Sequence, residues 1–287
     1  MSGRMAAFRY SLLATAILLL VACSRLDLAY RNLDLVIPWW ISKYITLDDS
    51  QEAWMTPRLQ KHLAWHCSTQ LPEYVAWLEQ LDQMSQRPQV SATDLRGQFV
   101  QVRNAVHDLS VQVTPTVLGL AKDLSPTQMG ELYVAMDERN ARLREEHVAP
   151  PLKEQVTARS LRMRARVEQW MGPLRASQVA RIDTWAKGQG DYNRIWAENR
   201  ENWQKEVRNA LYVRHASNFP ARMTALLQEP EDAWTPEYRK AYPAAENALA
   251  QLLTDLFNSA DERQRNALRE YIGEMVTDLK GLECYPG

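Results

Sequence analysis

The sequence predicts an all-α protein, about eight or nine antiparallel helices in an elongated bundle or array, behind a cleaved N-terminal signal. Three observations predict it. Apolar residues recur at spacings of three and four along most of the chain. Glycine is scarce, at 10 of 287 residues. Capping residues and prolines punctuate the pattern where one apolar stripe gives way to the next. No segment alternates polar and apolar residues as a half-buried strand does.

The elements follow in order. Leu26, Ala29, Tyr30, Leu33 and Ile37 form a first stripe, which Pro38 is expected to interrupt before "WWISKYITL". Tyr74, Trp77, Leu78, Leu81 and Met84 form a second, ending near Pro88, and Ser91 with Asp94 marks the next start. In "LSPTQM" Ser125 can cap, Pro126 suits the first helical position, Gln128 can return to the cap, and Leu124 can staple to Met129. The face from Met129 through Leu132, Tyr133, Met136 and Leu143 to His147 stops at Pro150 and Pro151. Further breaks are expected near Pro173, at "GQGD" from Gly188, and near Pro220 and Pro230. Trp196, Trp203, Val207 and Leu211 lie between them. Thr235 with Pro236 and Ser259 with Glu262 open the last two stripes, one through Leu249, Leu252, Leu253 and Leu256, the other through Leu268, Tyr271, Ile272, Met275 and Leu279.

The N-terminus reads as a targeting segment. Arg4 and Arg9 precede an uncharged run from Tyr10 to Ala22, about 13 residues where a membrane span needs roughly 20. A basic start, a short apolar region and a small residue make a secretory signal peptide. Leu20, Val21, Ala22 and Cys23 resemble the bacterial lipobox. The resemblance implies cleavage after Ala22, diacylglycerol on the Cys23 thiol and acylation of the freed amine. Each buried methylene contributes about 0.8 kcal/mol, so several chains anchor where one is marginal. The chain therefore divides into a signal peptide, 1–22, and a periplasmic helical domain, 23–287. Ser24 rather than Asp after the cysteine favours the periplasmic face of the outer membrane by resemblance to lipoprotein sorting, with the inner membrane as the alternative.

The 34 Lys and Arg against 35 Asp and Glu give no basic excess to draw the chain to nucleic acid. Beyond Cys23 the cysteines are Cys67 and Cys284. In an oxidising periplasm they either form a bridge that ties the chain end to an early helix or stay as two thiols; sequence separation leaves both open.

His62 and His66 stand four apart on a helix, the spacing for two imidazoles on one metal. Leu63 occupies the glutamate position of an HExxH motif and no third ligand is indicated, so packing and hydrogen bonding are expected, with no metal and no cofactor. Arg159, Arg162 and Arg166 share a helix face that could meet lipid phosphates or an acidic partner, although Glu154 and Glu168 dilute the field. Trp39 and Trp40, about 16 residues from the anchor, suit either a core or a membrane or partner contact. The charges from Asp137 to Glu146 fit surface ion pairs. No phosphate loop, nucleophile elbow or CxxC is present, so no enzymatic activity is expected.

"LDDSQ" at 47, "LSPTQ" at 124 and "LRASQ" at 174 share a leucine and a glutamine four apart. The intervals are unequal, against a solenoid. The recurrence fits helix caps solving the same hydrogen-bond problem; it also resembles the LTxxQ signature of small periplasmic helical chaperones, which are shorter.

"LAYRNLDLVIPWWISKYITLDDSQ" from Leu28, "LAWHCSTQLPEY" from Leu63, "LSPTQ", "ERNARLREE" from Glu138 and "VEQWMGPL" from Val167 together resemble a family of proteobacterial lipoproteins known only as a domain of unknown function, from the lipobox to about residue 215. The resemblance implies an anchor and a helical architecture and no catalytic residue. Cys67 departs from it, standing where a basic residue is expected. The function expected is contact with other envelope proteins, in assembly, scaffolding or chaperoning; the alternative is a binder of lipid, peptidoglycan fragment or another ligand in an interhelical pocket.

Overall fold

The computed structural model describes residues 30–282. The signal segment, Cys23 and Cys284 lie outside the described residues. Among those residues the protein is all-α, with no strand. Helices α1 (Leu33–Ile41), α2 (Asp49–Trp65) and α3 (Leu71–Ser85) are followed by α4 (Ala92–Asp123), α5 (Pro126–His147), α6 (Leu152–Met171) and α7 (Ala176–Gly188). Then come α8 (Tyr192–Tyr212), α9 (Phe219–Gln228), α10 (Pro236–Asn258) and α11 (Glu262–Lys280).

The breaks expected at Pro88, Pro150 with Pro151 and Pro173 fall between helices, "GQGD" begins at the last residue of α7, Pro230 opens a 3-10 turn (Pro230–Ala233) between α9 and α10, and Pro220 is the second residue of α9. Pro38 does not interrupt: α1 runs through it to Ile41, and its carbonyl accepts from Ser42 N–H at 2.9 Å. Pro57, Pro115 and Pro243 also lie inside helices. Between α2 and α3, His66–Gln70 forms one π-helical turn rather than a break. Pro72 lacks the N–H that an α-helix would give to the Ser68 carbonyl, and a wider turn ahead of it relieves the clash of its ring with that turn. The last start also shifts. Asp261, not Ser259, caps α11, with Gln264 at the third helical position.

The helices pack as neighbours, α3 on α11, α6 on α7 and α11, α4 on α2, α9 and α10, and α5 on α8. One core cluster surrounds Phe219, which is 0 % exposed, with Ala121, Val207, Ala210, Leu211, Met223 and Leu226. A second gathers Val167, Met171, Ile182, Leu252 and Leu256 from α6, α7 and α10.

The recurring glutamines explain how distant helices are joined. Gln51 and Gln128 each return a side-chain oxygen to the backbone N–H of their own cap, Asp48 at 3.2 Å and Ser125 at 2.9 Å. Their amide nitrogens then donate to each other's oxygen, at 3.2 and 2.5 Å. The same nitrogens reach backbone carbonyls, Asp123 from Gln51 at 3.1 Å and Thr46 from Gln128 at 2.8 Å. Gln178 and Gln264 repeat the device. Their amides exchange bonds of 3.0 and 2.9 Å, and Gln264 also donates to the Pro173 carbonyl at 2.9 Å. All four side chains are buried. A buried amide is tolerable only when its donors and acceptors are matched, and each clasp does that while fixing two helix starts against each other.

A further lock closes the loop between α3 and α4. Asn258, the last residue of α10, accepts from Val90 N–H and donates to the Val90 carbonyl, both at 2.9 Å. Arg265 donates to the Arg87 and Pro88 carbonyls at 2.9 Å.

Candidate functional site

Two clefts flank α4 and share Val102 on their walls. On one side α4 faces α3. Val102, Val106 and Leu109 stand at intervals of four and three, which places them on one helical face. They are exposed at 47 %, 62 % and 40 %. With Tyr74 and Trp77 of α3 they line a groove of about 440 Å³. Trp77 is held by a bond from its indole N–H to Gln98 Oε1 at 2.8 Å. The charged residues lining this groove are Glu73 and Asp108, both acidic.

On the other side α4 meets α6, α7, α8 and α10 around a cleft of about 460 Å³. Phe99, Trp185, Tyr192 and Tyr242 supply aromatic walls, and Arg103, Arg159, Arg162 and Glu246 its charges. Arg103 is ion-paired with Glu246, which also accepts from the Tyr242 hydroxyl at 3.0 Å. Burial pushes the Tyr242 hydroxyl up, so it stays a donor at neutral pH. Arg159 is 7 % exposed and, among the described residues, bonds only to neutral oxygens. These are the Ala186 carbonyl at 2.8 Å, the Gly190 carbonyl at 3.2 Å and Asn193 Oδ1 at 3.0 Å. Gly190, with φ of 48°, is in the left-handed region that suits glycine, where α7 turns into α8. Asn193 is itself fixed by donating to the His147 carbonyl and Gln155 Oε1, at 2.8 and 3.0 Å. Burial, and secondarily the charge on Arg162, pulls the Arg159 guanidinium below its usual range, while Asp191 pulls the other way.

The sequence-predicted residues thus separate. Arg159 and Arg162 line one cleft; Arg166, on the same helix, is exposed and does not. Trp39 and Trp40 are exposed at 59 % and 52 % on α1, beside Leu35 and Val36, with Lys43 over the Trp39 ring at 4.7 Å. His62 and His66 point to different partners, Thr116 Oγ1 at 2.7 Å and the Tyr30 hydroxyl at 3.0 Å. No group of three metal-ligating side chains that could hold an ion occurs among the described residues. No described helix is long and apolar enough to cross a membrane. Cys67 is 2 % exposed and disulfide-bonded, and its partner sulfur lies outside the described residues. Leu282 packs in the same cluster with Tyr30 and Leu71. The charges of α5 form ion pairs: Arg144 grips Glu201 at 2.5 and 2.7 Å, and Arg208 reaches Asp137 at 2.5 Å.

Both histidines are pulled below the ordinary 6.5 by burial. Each is neutral in the folded and unfolded chain well above 6.5; as pH falls through 6.5 the unfolded chain binds the proton first, so stability drops. The urea midpoint is expected to fall between pH 7.5 and 5.5, and His66→Gln to remove part of that fall; an equal fall in the variant would contradict it.

Sequence reasoning missed two features of these sites. The α4 face was hidden because Val102, Val106 and Leu109 have helical spacing whether covered or not. The Gln264 partner was signalled by Asp261 three residues earlier, but Ala260 stands where the other copies have leucine.

A family model described as "Family of unknown function (DUF6279)" matches residues 43–239, more than half of the chain. The chain belongs to this family. The DUF6279 match takes in α2 to α9 whole, with "LAWH" and the "ERN" helix, and it begins after "PWW" and the lipobox-like segment. It reaches beyond residue 215, into the start of α10. The "LSPTQ" and "LRASQ" glutamines and both walls of the α3 and α4 groove lie within the DUF6279 span, whereas Gln264 lies past it. No curated protein and no solved structure matches the chain.

Proposed function

We propose that this protein is a lipoprotein of the bacterial envelope, anchored through Cys23 at the periplasmic face of the outer membrane, and that it works by holding an amphipathic segment of another envelope protein between α3 and α4. One observation carries the docking claim. Val102, Val106 and Leu109 leave a continuous apolar face open to solvent on the longest helix described, opposite Tyr74 and Trp77. An amphipathic helix buries its anchor residues in such a groove. Glu73 and Asp108 select the partner by charge: an apolar face flanked by Lys or Arg. No catalytic step is assigned to it.

Val106→Glu combined with Leu109→Glu places two charges in the groove at exposed positions, so the fold should hold within about 0.5 kcal/mol. Recovery of the complex from crosslinked envelopes should fall at least tenfold, and undiminished recovery overturns the docking claim. The anchor is supported by the short apolar run and the residues around Cys23. Leu282 beside Cys67 supports a bridge from Cys67 to Cys284, two residues further on. The intact mass without reductant should be that of a chain starting at Cys23 with three acyl groups, and digestion should join the Cys67 and Cys284 peptides. An unacylated chain, or Cys67 joined to Cys23, overturns the anchor.

A further inference from the structure

We infer that the cleft between α4, α6, α7, α8 and α10 binds a small organic anion, its phosphate or carboxylate head held by Arg159 and Arg162 and its apolar body lying against Phe99, Trp185 and Tyr242. The site lies across α4 from the groove proposed for the protein partner, and the two share one wall residue, Val102.

Charge is the first support. Of the four charged side chains on the cleft wall, Glu246 is taken by Arg103, leaving Arg159 and Arg162 without a carboxylate partner among the described residues. Arg159 is nine-tenths buried, and a buried guanidinium is ordinarily matched by an acid. Here it meets three neutral oxygens, two of them carbonyls at the end of α7, whose dipole offsets only part of the charge. The acid that acts on it, Asp191, is bonded to Arg194 at 2.6 Å. Arg162, one turn on, adds a second positive charge that disfavours the first, an arrangement that an anion between them would relieve.

Trp185 adds an aromatic wall beside these two cations. The volume, about 460 Å³, is in the range of small-molecule sites, and four aromatic rings beside the two guanidiniums not paired with a carboxylate suit a ligand with one charged end and one apolar end. Guanidinium bonds phosphate and carboxylate with the same paired geometry, so the head is defined as an oxyanion with either centre.

The test is calorimetric titration of the full-length chain with 1-naphthyl phosphate, 1-naphthoate, 1-naphthol and inorganic phosphate. The naphthyl oxyanions should bind at least tenfold more tightly than naphthol, which lacks the head, and than inorganic phosphate, which lacks the body. Which of the two oxyanions binds more tightly identifies the head. Arg162→Glu, at an exposed position, should weaken the tighter one at least tenfold. Arg166→Glu, a charge reversal on the same helix outside the cleft, should leave it within twofold. Naphthol or inorganic phosphate binding as well as the naphthyl anions overturns the proposal, as does absence of heat for either anion or an equal loss in both variants.

Discussion

Gln264→Leu should lower stability by about 3 kcal/mol, because it removes the amide that the Gln178 side chain and the Pro173 carbonyl both use. Gln264 is 1 % exposed, so water cannot replace the lost partners without opening the α7 and α11 helix starts. For a domain of this size the melting temperature should fall by roughly 6–12 °C. The double variant Gln178→Leu with Gln264→Leu should be less destabilised than the two single losses added together, since removing both members leaves fewer orphaned groups. Gln51→Leu, in the other clasp, should add to Gln264→Leu within about 0.5 kcal/mol, the two pairs sharing no partner. Urea unfolding of the set checks this, and simple additivity within one clasp would contradict reciprocal pairing.

Phe219→Ala should cost about 3–5 kcal/mol, the range for truncating a fully enclosed aromatic side chain. Phe219 is the first residue of α9 and is 0 % exposed against Val207, Ala210, Leu211 and Met223, so α8 and α9 cannot collapse into the space without moving both. Tyr212→Ala, a few residues earlier at 81 % exposure, serves as the control and should change stability by no more than about 0.5 kcal/mol. A urea midpoint for Phe219→Ala close to that of the control would contradict the placement of this core.

Helix order was legible because it rests on local chemistry. Ser91 with Asp94 and Ser125 with Gln128 form capping boxes, and Thr235 caps α10 ahead of Pro236. Proline was read too strictly as a breaker at Pro38, which sits inside α1 as Pro57, Pro115 and Pro243 sit inside other helices, where neighbouring helices decide what local preference would disfavour. The glutamine recurrence was legible as helix capping, but its pairing into clasps was not, since each pair joins residues 77 or 86 positions apart. The same limit applies to the sites. Arg159, Arg162 and Arg166 look alike on a helical wheel, and only the approach of Ala186, Gly190 and Asn193 turns the first into a buried cation and leaves the third in solvent. His62 and His66 share a face by spacing, yet Thr116 and Tyr30 draw them to different neighbours.

The docking claim is tested most directly by placing a photo-crosslinking side chain at Val106 in cells and mapping the product. The expected result is a discrete adduct, crosslinked within a segment that has apolar residues three and four apart flanked by Lys or Arg, and lost with Leu109→Glu. Adducts spread over many unrelated proteins, a second copy of this chain as the sole product, or a product unchanged by Leu109→Glu would contradict it.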